Sequence, residues 1–118
     1  MTLNIRTQGF TLTDALREIT EAEMRLALGR NQNVVQRVDI SLSDINGANK
    51  GGLDKRCLIT LRLPGSKAIV IQEKGRDMYE TIHLCVSRIR RTLDRHINRK
   101  RKFKRQSIRQ VFVPLEAA

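Results

Sequence analysis

Residues 77–102 read DMYETIHLCVSRIRRTLDRHINRKRK, and this stretch decides how the rest of the chain is arranged. Met78, Ile82, Val86, Ile89, Leu93 and Ile97 recur at three- and four-residue steps. That spacing draws one apolar stripe along a helix, and such a stripe must be buried against another layer. Asp77 opens the helix as an N-terminal charge or cap. The pattern predicts a helix to Lys102 or beyond, roughly 25 residues and ~37 Å long. On the same wheel Arg88, Arg91, Arg95, Arg99 and Lys102 fall within roughly 80° of one another, away from the stripe, along about 20 Å. If the stripe docks the helix, this basic row faces outward. Arg90, Lys100, Arg101, Lys104 and Arg105 widen it.

The layer that receives the stripe lies upstream. Val34 to Ile45 alternates, with Val38, Ile40 and Leu42 on one side and Arg37, Asp39, Ser41 and Ser43 on the other. Cys57, Ile59, Leu61 and Leu63 form one face of the next strand, Pro64-Gly65 turns the chain, and a further strand runs from about Lys67 to Glu73. Asn46 to Gly52 reads as a flexible loop with a Gly51-Gly52 hinge. Leu3-Asn4-Ile5-Arg6 alternates as a first strand, interrupted by Gly9. A helix from about 13 to 28 follows, capped by Thr11 or Thr13 and ended by Gly29. Its expected apolar face is Leu12, Leu16, Ile19 and Leu26, with Ala15 and Ala22. The order is β-α-β-β-β-α. The expected fold is α+β, a four-stranded mixed sheet with two helices packed on one face. Residues 1–103 form one RNA-binding domain in this reading and 104–118 a flexible tail, where Val111-Phe112-Val113 admits a short strand or disorder.

Charge narrows the partners. Twenty-three Lys and Arg oppose 12 Asp and Glu, a net +11 in 118 residues. Residues 1–73 carry 10 basic and 8 acidic side chains, while 74–118 carry 13 and 4, so the excess sits in the last third. Between 88 and 105 ten basic residues meet one acid, Asp94. A merely solvated face mixes signs. Five cations on a rigid rod can meet several phosphates and release their counterions, and Arg grips phosphate in a bidentate way. With no Trp, one Tyr and three Phe, the chain offers no platform for stacking bases. Recognition by backbone and shape is expected, as with folded, double-helical RNA.

Other chemistry finds little support. Cys57 and Cys85 read as two small buried hydrophobes in unrelated settings, with no CxxC pair and no metal spacing. His83 and Cys85 point in different directions on the helix, and His96 borders the basic row. Tyr79 reads as a packing residue with a polar tip. No nucleophile triad or phosphate-binding Gly loop can be assembled, so no enzyme, no catalytic or metal residues and no cofactor are expected. A signal segment and a membrane span are also not expected, which points to a cytoplasmic protein.

The strand and helix order, Asn4-Ile5, the segment Leu12-Thr13-Asp14-Ala15-Leu16-Arg17 and above all Asp77-Met78-Tyr79 leading into a long basic helix resemble the short ribosome hibernation promoting factors and ribosome-associated inhibitors. The resemblance covers about residues 3–102. It implies a protein that binds the small ribosomal subunit and its rRNA in the mRNA/tRNA channel and silences ribosomes under stress. It also implies that the family's basic positions on the second helix fall on Arg88, Arg91, Arg95 and Arg99. Where the family carries lysines late in the first helix, this chain has Ala22 and Glu23; Arg17, Arg25 and Arg30 stand nearby. Acidic family positions in the second helix appear as His83, Ser87, Arg90 and Asn98. The stretch from Lys104 does not match a family dimerisation domain. The expected rRNA-binding set is therefore Arg88, Arg90, Arg91, Arg95, Arg99, Lys100, Arg101 and Lys102, with Arg17 and Arg25 from the first helix. A monomer without membrane or small-molecule partners is expected. Two other readings remain open: a general structured-RNA or DNA binder using the same helix, and a protein–protein module that docks an acidic partner.

Overall fold

The computed structural model describes the backbone of residues 1–45 and 54–117 and the side chains of 1–45 and 54–102. The loop at 46–53 and its hinge lie outside the described residues. The chain runs β1 (Thr2–Gln8), α1 (Asp14–Leu28), a 3-10 turn (Gly29–Asn33), β2 (Arg37–Asp44), β3 (Lys55–Arg62), β4 (Ile69–Gly75) and α2 (Met78–Ala117). The sheet order is β1-β2-β3-β4. β1 pairs parallel to β2, as a strand-helix-strand crossover requires, and the remaining pairs are antiparallel. The fold is α+β, as the alternation of periods predicts.

Register puts Leu3, Val38, Leu61 and Ile69 in one row across the sheet, and Ile5, Ile40, Ile59 and Ile71 in the next. These rows face the helices. On α2, Ile82, Val86, Ile89 and Leu93 are buried against them, with Met78 and Ile97 packed at either end of the core. The stripe read from the sequence is therefore the seam of the domain. Asp77 starts α2: its carboxylate accepts the Glu80 N–H at 3.0 Å, and its carbonyl accepts the Thr81 hydroxyl at 2.6 Å. α2 then stays helical in backbone to Ala117, so Val111–Val113 is helix rather than strand. No Gly or Pro interrupts residues 77–113, and helix extension over a formed helix is easy once nucleated.

α1 departs from its expected face. Thr13 caps it, accepting the Leu16 N–H at 3.2 Å, and Gly29 closes it at φ 49°. Its buried residues are Leu16, Thr20, Met24 and Leu28, each four apart. Ile19 and Leu26 are exposed instead, Leu26 by 81%. Leu26 stands two residues from both Met24 and Leu28, about 200° around the helix from either, so it cannot share their line. Thr20 fits that line because its hydroxyl donates to the Leu16 carbonyl at 2.7 Å, which removes the cost of burying it. At the entry to α1, Gly9 adopts φ 87°, and a side chain there would overlap the Asp44 carbonyl oxygen.

The two cysteines are not in unrelated settings. Cys57 of β3 and Cys85 of α2 meet in the core, both fully buried and both free thiols. The Cys85 thiol donates to the Cys57 carbonyl at 3.4 Å and lies 3.5 Å from that of Ile71. Hydrogen bonding to Cys85, together with burial, pushes the Cys57 thiol well up. Iodoacetamide at mildly alkaline pH is expected to alkylate the native protein on the order of a hundredfold or more slower than the denatured chain, since reaction must wait for core opening. Mass spectrometry of the labelled protein checks this.

Candidate nucleic-acid interface

The apolar seam fixes which way the α2 cations point. Arg91, Arg95, Arg99 and Lys102 are all exposed. Arg95 and Arg99 border Ile69 and Thr92, so this flank of the row looks toward the β4 edge. Arg88 is exposed too but not free. Its Nη1 forms an ion pair with the Glu73 carboxylate and donates to the Gln72 carbonyl at 3.3 Å. It anchors α2 to β4 and brings less net charge to the surface than its neighbours.

The wider set does not form one surface. Arg90 lies beside Glu23, Leu26, Ala27 and His83, on the α1 side of α2. Lys100 and Arg101 line a groove of about 500 Å³ with Val34, Leu63, Pro64 and Ile97. His96 shares that groove, is half-buried, and has an Nε2 buried without a hydrogen-bond partner among the described residues. It also lines the depression beside Arg95 and Arg99, so it stands between the basic row and the α2–sheet junction. Asp94, the one acid in the stretch, accepts from Asn31 Nδ2 at 3.3 Å. That contact turns it toward the 3-10 turn after α1 and away from Arg91, Arg95 and Arg99.

α1 contributes little positive charge. Arg17 and Arg25 are exposed, yet the same helix carries Asp14, Glu18, Glu21 and Glu23. Glu23 reaches across to α2, where its Oε1 lies 3.4 Å from His83 Nδ1. The two-helix surface is thus mixed in sign on the α1 side and basic on the β4 side. Helical periodicity alone does not single out the strand cations Arg6, Arg37, Arg56, Arg62 and Lys74. Strand alternation, combined with register, places them on the sheet face away from the helices.

Tyr79 is 45% exposed, with Glu80, His83 and Leu84 around it. Among the described residues no group of three or more His, Cys, Asp or Glu could hold a metal ion. No described helix is long and apolar enough to cross a membrane.

Solved structures share this arrangement. A ribosomal subunit interface protein from Coxiella burnetii is 26% identical and superposes with a TM-score of 0.70, over 83% of this chain and 99% of its own. The N-terminal domain of Thermus thermophilus Protein Y has the same fold at 24% identity and a TM-score of 0.66, over 81% of this chain and 99% of its own. No curated protein sequence matches. The family described as sigma 54 modulation protein / S30EA ribosomal protein matches residues 3–101, which take in the sheet from the second residue of β1 onward, α1, and α2 as far as Arg101. The chain belongs to this family of ribosome-associated modulation proteins.

Proposed function

We propose that the chain binds the small ribosomal subunit through its rRNA, occupies the mRNA/tRNA channel and silences ribosomes under stress. The observation that carries this reading is the outward row Arg91, Arg95, Arg99 and Lys102, held on a docked helix whose one nearby acid, Asp94, is turned away, in a member of a ribosome-associated family. Residues four apart on a helix rise about 6 Å, so successive arginines can reach successive phosphates of one strand. The Coxiella relative is itself a ribosomal subunit interface protein, which supports a ribosomal target. Binding by backbone charge involves no chemical step, so the protein acts by occupancy; in this reading it does so as a monomer in the cytoplasm.

A general structured-RNA binder would use the same row, because phosphate contacts fix position and carry no sequence information. Co-sedimentation with ribosomal subunits on sucrose gradients, at two salt concentrations and with duplex RNA as competitor, separates the two. The expected result is migration with the small subunit that survives excess duplex. Protein stripped off by any duplex would replace this reading with the general one. Protein at the top of every gradient would remove both.

A further inference from the structure

The open face of the sheet is a second basic surface, back to back with the helices. Arg6 of β1 stands across from Ser41 of β2, Arg37 of β2 from Arg62 of β3, and Arg56 of β3 from Lys74 of β4. Their alternation sets all five cations on the side opposite the core. One carboxylate of the strands shares that face, Asp39. It is spent on orientation: Arg37 Nε lies 3.0 Å from its Oδ1, and Arg62 Nε 3.8 Å from its Oδ2. Both contacts use Nε, so the terminal nitrogens of the two guanidinium groups have no partner among the described residues. They border a depression of about 450 Å³ that Asn4, Arg6, Ser41 and Thr60 also line.

These six side chains can all donate a hydrogen bond, three of them as fixed positive charges; Asp39, engaged by Arg37 and Arg62, lines the depression too, and Ile40 and Leu58 complete it. No aromatic side chain sits on the strands to stack a base. The surface is therefore built for a phosphate backbone rather than for bases. Lys67, exposed just before β4, adds positive charge at the end of the sheet edge where Ile69 borders Arg95 and Arg99. α1, with four acids against two arginines, interrupts the charge on the other side.

We infer that the open sheet face binds a second segment of RNA backbone, centred on Arg6, Arg37 and Arg62, so that the domain is held between two RNA surfaces. This rests on the proposal that the α2 row binds rRNA. The helix layer and the sheet lie between the two faces, so a single straight duplex cannot touch both. A folded RNA with a cleft can, and such a target is favoured over free duplex without any base being read.

The test compares two neutralised variants. One carries Arg6→Gln, Arg62→Gln and Lys74→Gln, leaving Arg37 in place to keep Asp39 partnered. The other carries Arg91→Gln, Arg95→Gln and Arg99→Gln. Affinity for the small subunit is measured against salt concentration, with thermal melting as the control for folding. The sheet variant is expected to bind at least ~10-fold more weakly, with a salt slope reduced by about one for each phosphate no longer neutralised. Unchanged affinity and slope in a folded sheet variant overturn the inference. Amine acetylation of the wild-type complex gives a reading independent of any variant. Lys74 and Lys102 are both expected to become protected. Protection of Lys102 alone overturns the second surface and leaves the helix reading standing. Protection of neither removes the helix reading as well. Protection of Lys74 without any fall in slope in the sheet variant assigns that face to a ribosomal protein rather than RNA, and also overturns the inference.

Discussion

Replacing Arg91, Arg95 and Arg99 together with Glu is expected to abolish co-sedimentation with the small subunit while leaving the fold intact. Three phosphates go unneutralised and meet a repelling carboxylate instead. Affinity should fall by on the order of a thousandfold or more, and the salt slope by about three. The fold should survive for a specific reason. The three residues are exposed and four apart, so the native helix already tolerates like charges at that spacing. Glu at the same positions keeps the same spacing with the sign reversed. Arg88 is left out deliberately, because its pair with Glu73 ties α2 to β4 and its removal would mix a stability effect with a binding effect. Circular dichroism establishes the fold and sucrose gradients the binding. A folded triple variant that still migrates with the small subunit would remove these arginines from the interface.

What the sequence made legible followed from period. The α2 stripe, the alternation of β2 and β3 and the caps at Thr13, Gly29 and Asp77 are local patterns, and each stands where its pattern puts it. The first helix was harder. Its apolar residues admit more than one face, and Thr20 belongs to the buried line only because its hydroxyl finds the Leu16 carbonyl. The layer arrangement was legible, but individual side-chain pairings between elements were not. The meeting of Cys57 with Cys85, 28 residues apart, depends on how α2 crosses β3. The pairing of Arg88 with Glu73 depends on which strand forms the edge. Likewise, a helical wheel gathers Arg91, Arg95 and Arg99, but only register across three strand pairs gathers Arg6, Arg37, Arg56, Arg62 and Lys74. The charge asymmetry along the sequence drew attention to the last third, while the basic cluster on the sheet is assembled from all four strands.

Leu93→Ala should separate the docking of α2 from the charge it carries. Leu93 is 1% exposed in the core that α2 shares with the sheet. Truncating it leaves a cavity in a close-packed layer, at a cost of about 2–5 kcal/mol. At roughly 4–8 °C per kcal/mol for a small domain, the melting temperature should fall by ~10–20 °C or more. A domain with about 5–15 kcal/mol of stability remains mostly folded at room temperature after the smaller of these losses. All cations are still present in that variant, so the salt slope of subunit binding should match the wild type, and affinity should drop only by the fraction unfolded. The triple arginine variant predicts the opposite pair of results, an unchanged melting temperature and a collapsed slope. A reduced slope in Leu93→Ala would carry a different meaning. It would show that the orientation of the α2 rod on the sheet, and not only its charge, sets how many phosphates are reached at once, because a helix that shifts over the cavity turns part of its arginine row away from the RNA.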